Sequence, residues 1–368
     1  MLEGDSLLPR VRVIAEAGVN HNGSLELALA LVDAAAEAGA DIVKFQTFQP
    51  EQLVSRHAPK ADYQRRTTDA AESQLAMLRR LALGPNDYPR LLDRCRQKNI
   101  AFLSSAFDLD SLILLTRDLK LSDIKIGSGE ITNAPLLLAI ARSGCSAILS
   151  TGMSTLAEVR DALSVLAFGY TNPTETPSST AFAAALTSEA GRAALGDHAI
   201  LLHCTTEYPA AFEDVNLRAM DTLRNAFHLP VGFSDHTPGI VAPIAAVARG
   251  AVMIEKHLTL DRSLPGPDHA ASLEPSEMAA LVTGVRQTTL ALGDGRKEPR
   301  PVEIKNMAVA RKSLVAAKSI RRGEPFAETN MAAKRPGTGI SPMRWWDILN
   351  RAAPRDFAVD ELIEIQSE

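Results

Sequence analysis

Two stretches, VGFSDHT (231–237) and VMIEKHLTL (252–260), decide how the rest of this chain is interpreted. Each is an apolar run of strand character that ends in polar residues capable of chemistry. The segment between them, 239–251, is rich in small residues and reads as a short helix. A strand, a helix and a second strand form a βαβ unit. Its two strands are parallel, so both carboxyl ends lie on the same face of the sheet.

One histidine stands at each of these strand ends, His236 after the first strand and His257 after the second. Imidazole is the commonest protein ligand of metal ions, and carboxylates flank both histidines. A lone histidine is more often a hydrogen-bonded residue of the core. Two histidines on one face of a sheet instead favour a site for a divalent metal ion.

The same alternation of strand and helix recurs along the whole chain. The predicted strands are 11–18, 41–48, 101–108, 123–130, 147–153, 199–209, 231–237 and 252–260. Strands that are apolar along nearly their whole length are typical of parallel sheets covered on both faces. Eight such units at even spacing predict a (β/α)8 TIM barrel, for which an open doubly wound sheet is the alternative.

Active sites of such barrels lie at the carboxyl ends of the strands. Every predicted strand of this chain ends in polar side chains, which indicates a functional site at that face. These side chains are Glu16, Lys44, Ser105, Lys125, Ser128, Glu130, Ser150, Thr151, His203, Thr206, Asp235, His236, Glu255 and His257.

Two lysines, Lys44 and Lys125, lie among the serine hydroxyls at these strand ends. The glycines of GSGE (127–130) add backbone amides that can form an anion nest. Together they predict a site for phosphate, or for phosphate plus carboxylate, although GSGE taken alone could be a tight turn. No GxxxxGK[ST] motif and no GxGxxG motif after a strand is present, which disfavours nucleotide and dinucleotide chemistry.

The glutamates at the strand ends have two possible roles. Glu16, Glu130 and Glu255 could transfer protons or orient water beside a metal ion that polarises a carbonyl group. They could also neutralise the lysines, and this alternative is nearly as strong for Glu255, which precedes Lys256.

Composition narrows the class of protein. The 368 residues carry a formal net charge of −5, which argues against a broad nucleic-acid surface. Three cysteines without metal-ligand spacing suit a reducing compartment. Neither a signal-peptide pattern nor an uncharged apolar run of about 20 residues is found, which predicts a cytoplasmic protein without membrane contact.

The chain divides into two predicted domains. Residues 1–293 hold the barrel, and 294–306 are charged, contain prolines and are predicted to be a linker. Residues 307–368 contain short apolar segments separated by turn sequences, which indicates a small β-rich module. A module of about 60 residues folds alone only marginally and is expected to dock on another surface.

Several motifs in combination resemble the N-acylneuraminate (sialic acid) synthase family over nearly the whole chain. They are IAEAGVNHNGS, ADIVKFQTF, KIGSGE, LSTGM, HCTTEYP, GFSDHT, IEKHLTLDRSLPGPDHAASLEP and KRPGTGISP. The resemblance implies a barrel joined to a C-terminal antifreeze-like (SAF) domain. It also implies condensation of phosphoenolpyruvate with an N-acylated hexosamine such as N-acetylmannosamine, and a divalent ion, usually Mn²⁺, with Mg²⁺ or Co²⁺ as alternatives.

The resemblance assigns roles to individual residues. The metal ligands would be His236 and His257. Phosphoenolpyruvate contacts would be Lys44, Ser105, Lys125, Ser128 and Ser150. The sugar site would be lined by Tyr208, Glu255, Asp268 and Arg335. The chain departs from the family pattern at two positions. The HCT motif continues with Thr206, where the family often has Asn or Ser. Ser105 stands where some members have Thr, and it keeps the hydroxyl group.

The implied mechanism adds C3 of phosphoenolpyruvate to the aldehyde of the open-chain sugar, with the aldehyde oxygen polarised at the His236 site. Water captures the oxocarbenium-like centre at C2, and phosphate leaves with C–O cleavage. Catalytic carboxylates would be Glu16 and Glu130, and Glu130 is preferred for the proton of the water. Arg335 would enter the site of a partner subunit, which implies a domain-swapped homodimer.

Two alternative functions remain open. A sister synthase that makes legionaminic or pseudaminic acid would use a diacetamido-deoxyhexose as acceptor with the same chemistry. A non-catalytic carbohydrate-binding or antifreeze-type protein is a remote alternative suggested by the C-terminal module. Phosphate release from phosphoenolpyruvate excludes the latter, and turnover with each acceptor separates the former from a sialic acid synthase.

Overall fold

The computed structural model of the chain describes residues 10–69 and 71–365. Eight parallel strands close into a barrel in the order in which they occur along the chain, which confirms the predicted fold class. Strands β1 to β8 are Arg12–Gly18, Ile42–Thr47, Ala101–Ala106, Asp123–Ile126, Ser146–Ser150, Ala199–Cys204, Val231–Asp235 and Met253–His257. The barrel closes where β1 pairs with β8, with Glu16 opposite His257 in the register.

Helices cover the outside of the barrel between the strands. Helices α1 to α13 are Leu25–Glu37, Pro50–Leu53, Asp62–Thr67, Gln74–Leu81, Asp87–Lys98, Leu109–Ile113, Ala134–Arg142, Leu156–Thr171, Ser179–Thr187, Glu189–His198, Ala219–Phe227, Val241–Ala248 and Pro275–Leu292. Their ends follow local chemistry. Ser24 accepts from the backbone amide of Leu27 to cap α1, and Thr155 with Glu158 forms a reciprocal capping box at α8.

Two apolar layers build the barrel. The larger one lies between the strands and the surrounding helices and includes Phe45, Phe168 and Phe233. The smaller one fills the interior of the barrel with branched side chains, in the manner typical of this fold. Its buried members are Ile14, Ile42, Leu103, Ile148, Leu202 and Met253. This interior layer closes the lower part of the barrel and leaves the carboxyl ends of the strands for polar side chains.

Two connections differ from their predictions. The sequence GSGE was placed within a strand, but β4 ends at Ile126 and Ser128–Glu130 forms a 3-10 turn. Residues 169–180 are rich in proline, serine and threonine, which predicts a surface loop, yet α8 continues to Thr171 and α9 begins at Ser179. Apolar contacts on either side of this stretch stabilise the two helix ends, because the Phe168 ring of α8 and the Phe182 ring of α9 pack edge to face with centroids 5.2 Å apart.

A second compact unit begins at Gly295. Helix α14 (Pro301–Ala310) occupies part of the segment predicted to be a linker. Strands β9 (Ser313–Ala316) and β10 (Met331–Lys334) pair antiparallel, and helix α15 (Trp345–Ile348) follows. Their own core includes Leu314, Phe326, Phe357 and Ile363. The predicted domain limits at residues 1 and 368 lie outside the described residues.

No helix among the described residues is long and apolar enough to cross a membrane. The cytoplasmic location of the protein stays a prediction.

Candidate active site

Four buried charged residues lie directly above the interior apolar layer, and we call them the charged floor: Glu16, Lys44, Lys125 and Glu255. Lys44 Nζ lies 2.9 Å from Glu16 Oε2 and 2.8 Å from Glu255 Oε2. Lys125 Nζ lies 3.6 Å from Glu255 Oε1. All four side chains are at most 5% exposed, so each charge depends on its partners for stabilisation.

Strand register produces this arrangement. Glu16 on β1 is opposite Lys44 on β2, and Ile14 on the same strand is opposite Glu255 on β8. Because side chains alternate along a strand, residues two positions apart point to the same face. Ile14 and Glu16 are therefore successive inward layers of β1, the first apolar and the second charged.

The two lysines of the charged floor differ in their electrostatic surroundings. Burial lowers the pKa of Lys125, and the nearby Glu255 compensates only in part. For Lys44, burial is again the largest single effect, but Glu16 and Glu255 together outweigh it and raise the pKa. Glu16 has a strongly lowered pKa, because His257 and the lysines outweigh the effect of burial. Lys44 is therefore fully paired, whereas Lys125 lacks a close counter-ion.

Hydroxyl groups surround Lys125 at the rim of the charged floor. Its Nζ donates to Ser150 Oγ at 2.7 Å, and Ser105 is its partner across the β3–β4 register. Ser128 Oγ lies 3.1 Å from Cys204 Sγ and accepts from the backbone amide of Gly152 at 3.0 Å. These groups form a cluster of donors next to a lysine that has room for an anion.

The two histidines lie on the other side of the charged floor. The centroids of the His236 and His257 rings are 5.6 Å apart, and the ring of Tyr208 lies 4.1 Å from His236 and 5.6 Å from His257. His236 Nδ1 donates to the carbonyl oxygen of Thr205 at 2.6 Å, which leaves Nε2 unprotonated. Burial lowers the pKa of His236 to about 3, so its ring is neutral.

These two imidazoles fit a divalent metal ion in part. His257 Nδ1 is buried without a hydrogen-bond partner, and its Nε2 lies 3.4 Å from Glu16 Oε2. Among the described residues, however, no group of three or more His, Cys, Asp or Glu side chains is arranged to hold a metal ion alone. A bound ion would therefore take two ligands from His236 and His257 and the others from water or substrate.

A cavity of about 260 Å³ opens above the charged floor. It brings together ten of the residues predicted for the site: Glu16, Lys44, Ser105, Lys125, Ser128, Ser150, Tyr208, His236, Glu255 and Asp268. Asp268 is 7% exposed, and burial raises its pKa. Anion donors, the imidazole of His236 and a carboxyl group of raised pKa therefore share one cavity.

Three predicted site residues do not line this cavity. His257 lies beside it, against Tyr208 and Glu16. Glu130 lies in the 3-10 turn, accepts from Asn133 Nδ2 at 2.7 Å and has a pKa that burial raises. Arg335 belongs to the second unit, where its Nε donates to the carbonyl oxygen of Ala310 at 3.0 Å.

Of the other residues at the strand ends, some line the cavity and some are bonded elsewhere. Thr206 lines the cavity, whereas His203 hydrogen-bonds to the backbone of Val215. Asp235 forms a fully buried ion pair with Lys256, with 2.6 Å between Lys256 Nζ and Asp235 Oδ2. Glu255 contacts both lysines of the charged floor. This agrees with the second role predicted for it, as a counter-ion of lysine.

The sequence interpretation missed one whole side of the cavity. Six apolar residues between β2 and α5 line it, and we call them the apolar wall: Phe48, Leu53, Val54, Met77, Leu78 and Leu81. Cys204 and Gln46 were also missed, and Gln46 donates to Glu16 Oε1 at 3.1 Å. The helical apolar pattern at 74–81 was the available signal, but it does not say which surface those residues cover.

Comparison with known protein families and sequences finds relatives along nearly the whole chain. The NeuB family model matches residues 31–297, and the SAF domain model matches residues 311–365. The N,N'-diacetyllegionaminic acid synthase of Campylobacter jejuni subsp. jejuni serotype O:2 is 48% identical over 97% of this chain and 99% of its own length. The enzyme of the same name from Legionella pneumophila is 43% identical over 90% of this chain and 86% of its own length.

A solved structure shares the architecture. The N-acetylneuraminic acid synthetase of Leptospira borgpetersenii, in complex with citrate, superposes with a TM-score of 0.66 at 34% sequence identity. The match covers 81% of this chain and 90% of that one. The chain therefore belongs to the NeuB family of sialic, legionaminic and pseudaminic acid synthases and ends in an SAF domain.

Proposed function

We propose that this protein condenses phosphoenolpyruvate with a diacetamido-deoxyhexose to make N,N'-diacetyllegionaminic acid and phosphate. The supporting observation is the 48% identity, over nearly the full length of both chains, to an enzyme of that name. The sialic acid synthetase of known structure is 34% identical. This comparison favours the legionaminic alternative over N-acetylmannosamine as the acceptor.

Lys125 is proposed as the main anchor of phosphoenolpyruvate. Lys44 is held by two carboxylates within 3 Å, whereas Lys125 has one carboxylate at 3.6 Å and a hydroxyl at 2.7 Å. An incoming phosphate or carboxylate group would supply the close counter-charge that Lys125 lacks. The hydroxyls of Ser105, Ser128 and Ser150 would fix its orientation by charge-assisted hydrogen bonds.

The reaction forms a C–C bond and a bond between C2 and the oxygen of water, and it breaks the C–O bond between C2 and the phosphate group. The enol C3 attacks the sugar aldehyde, and the anion anchors hold C3 in place for that attack. Water adds to C2, and phosphate departs with the former enol oxygen. A divalent ion at His236 and His257, when bound, would polarise the aldehyde oxygen as a Lewis acid.

The carboxyl group proposed to handle the proton of the water is Asp268. It lines the cavity and has a raised pKa, which suits a group that exchanges protons. Glu16 is a poor proton acceptor because its pKa is strongly lowered, and Glu130 does not line the cavity. Asp268→Asn should lower kcat while phosphoenolpyruvate still binds, and an unchanged kcat would return the role to Glu130.

The metal ion is proposed to be Mn²⁺, with Mg²⁺ or Co²⁺ as alternatives. His236→Ala and His257→Ala should abolish turnover and also weaken Mn²⁺ binding measured directly by calorimetry. A chelator should inactivate the native enzyme, and added Mn²⁺ should restore it. Full activity of exhaustively metal-stripped protein would contradict the metal site.

We further propose a homodimer in which Arg335 of one copy completes the sugar site of the other. The family resemblance supports this arrangement, and a solvated turn arginine is the alternative. Arg335→Ala and His236→Ala should each be nearly inactive, but mixed subunits should recover about a quarter of native activity, because half of the dimers regain one intact site. No recovery despite demonstrated subunit exchange would refute the arrangement.

The acceptor decides the proposed function. Purified enzyme with Mn²⁺ and phosphoenolpyruvate should release phosphate with the diacetamido-deoxyhexose at a much higher kcat/KM than with N-acetylmannosamine. The reverse preference would identify a sialic acid synthase. No phosphate release with either sugar, or with a pseudaminic acid precursor, would refute an enzymatic role in this chemistry.

A further inference from the structure

The apolar wall is a separate hydrophobic cluster that belongs to the cavity. Phe48 follows β2 by one residue, so the cluster begins at the carboxyl end of a barrel strand. Leu53 and Val54 are half-buried, whereas Met77, Leu78 and Leu81 are buried behind them. The wall therefore presents apolar side chains to the same cavity that holds the charged floor.

Polar anchors hold this segment in a defined shape. Lys60 is 6% exposed, and its Nζ donates to Thr68 Oγ1 at 3.0 Å and to the carbonyl oxygen of Asp69 at 2.8 Å. Its ion pair with Glu72, at 3.2 Å, adds a third connection. Ser73 then caps α4 by accepting from the backbone amide of Ala76. These contacts lie between the two parts of the apolar wall, at 48–54 and 77–81, and tie Lys60 to residues just before α4.

The chemistry of the wall is selective. It offers no hydrogen-bonding side chain at its six apolar positions, so a hydroxyl group placed against it loses its bonds to water without replacement. Methyl groups gain from burial at the same place. Two carboxamides, Gln64 and Gln74, also line the cavity on this segment. Gln64 Oε1 accepts from the backbone amide of Ala61, and Gln74 suits contact with an amide group.

These properties match what distinguishes the two candidate acceptors. N-acetylmannosamine has one acetamido methyl group, and its C6 carries a hydroxyl group. A diacetamido-trideoxyhexose has two acetamido methyl groups and a methyl group at C6. The atoms that the two sugars share would face the polar side of the cavity, which Tyr208 and Asp268 line.

We propose that the apolar wall selects the acceptor by receiving its C6 methyl group and its second acetamido group, and that it rejects a C6 hydroxyl. This inference deepens the proposed function and rests on it for the identity of the sugar. Specificity would then lie on the connection between β2 and α5, while the chemistry lies on the strand ends.

The test compares three acceptors at saturating phosphoenolpyruvate: N-acetylmannosamine, its C6-deoxy analogue and the diacetamido-trideoxyhexose. The native enzyme should prefer each deoxy sugar over N-acetylmannosamine by about tenfold or more in kcat/KM. Leu53→Asn and the nearly isosteric Val54→Thr should lower these preferences about tenfold through the KM of the sugar. The KM of phosphoenolpyruvate should stay unchanged.

A matched control separates selectivity from a general loss of stability. Leu29 on α1 is half-buried like Leu53 but does not line the cavity, so Leu29→Asn should leave the preferences unchanged. Val54→Thr keeps the test valid if Leu53→Asn fails to fold, because it replaces a methyl group with a hydroxyl of similar size.

The outcomes distinguish the two proposals. A native preference for the diacetamido sugar that both variants retain would refute the role of the wall and leave the proposed function intact. In another outcome, the native enzyme prefers the C6-deoxy analogue, the variants lose that preference, and the diacetamido sugar is not turned over. This result would support the role of the wall and refute the proposed function. A native preference for N-acetylmannosamine over both deoxy sugars would refute both proposals.

Discussion

The charged floor and the apolar wall line the same cavity but are built in opposite ways. The charged floor draws its four residues from β1, β2, β4 and β8 and pairs them within the barrel. The apolar wall draws all six residues from one continuous segment between 48 and 81. Distant strands therefore supply the charges, and one local connection supplies most of the apolar surface, which Val19 and Phe107 complete.

This difference separates two tasks, the chemistry of the reaction and the choice of the sugar. A change in the charged floor disturbs residues on several strands, because each charge is buried and depends on the others. A change in the apolar wall affects one connection that the barrel does not need for closure. We expect substitutions in the charged floor to alter stability and reaction rate, and those in the apolar wall to alter the choice of sugar.

The largest expected effect comes from Lys44→Met. This change leaves Glu16 and Glu255 without the cation that lies within 3 Å of both. Breaking a buried ion pair by removing one partner costs about 3–5 kcal/mol, so the free energy of unfolding should fall by that amount. Urea denaturation measures the change, and turnover should fall to the assay background.

The double variant Lys44→Met/Glu16→Gln provides the control for Lys44. It removes one of the two unpaired charges, so it should recover part of the lost stability without recovering turnover. A double variant no more stable than Lys44→Met would contradict the ion-pair explanation.

The second effect comes from Lys125→Met and compares the two lysines of the charged floor. Lys125→Met should raise the KM of phosphoenolpyruvate about ten- to a hundredfold, because a hydrogen bond to a charged group is worth about 1.5–3 kcal/mol. It should cost less stability than Lys44→Met, since burial already lowers the pKa of Lys125 and its ion pair is longer. An effect confined to the KM of the sugar would mean that the two subsites are interchanged.

The third effect concerns the rim of the charged floor. A Cβ atom at Gly152 would lie 2.3 Å from Thr206 Oγ1, 2.7 Å from Cys204 Sγ and 2.8 Å from Ser128 Oγ. Gly152→Ala should displace all three side chains, cost about 1–3 kcal/mol and raise the KM of phosphoenolpyruvate about tenfold. Gly196→Ala is the matched control, because a Cβ there meets nothing within 4 Å.

The smallest effect at neutral pH lies outside both regions, because it appears only as the pH falls. Burial lowers the pKa of His21 and of His269 from 6.5 to about 4. Between about pH 6.5 and 4 the unfolded chain binds more protons than the folded one, so the free energy of unfolding falls as the pH falls. For His21 the loss approaches about 1.4 kcal/mol per pH unit within this window.

Urea denaturation at several pH values between 7 and 4 measures this slope. His21→Gln removes one titrating group and should make the slope shallower than in the native protein. Equal slopes for the two proteins would show that His21 does not contribute, and other groups would then account for the pH dependence.

The barrel and the charged floor were predictable because both depend on short-range patterns. An apolar strand and the polar residue at its end lie within a few positions, and parallel closure then brings Lys44, Lys125 and His236 to one face. Sequence could not give the pairing inside the floor. The contact of Glu255 with Lys44 follows from barrel geometry, whereas the sequence left Glu255 with two roles, as a counter-ion of the lysines or as a contact of the sugar.

The apolar wall was not predictable by the same means. Leu53 and Val54 lie in a mostly polar stretch and follow neither helical nor strand periodicity. Only tertiary packing against α4 determines which surface they cover. The helices at 179–198 were missed for a related reason. Proline, serine and threonine in the preceding segment indicate a loop but do not say where that loop ends.

The pairing of β1 with β8 has a consequence for the order in which this protein is made. Glu16 emerges from the ribosome early, but its register partner His257 follows only after nearly the whole barrel. At about 5–20 residues per second, the first strand waits roughly ten to fifty seconds for the last one. Throughout that time β1 is an open sheet edge, and its glutamate lacks half of its surroundings. Emergence of β8 therefore lets the barrel close and brings Glu255 to the charged floor, so a chain interrupted before Met253 lacks both.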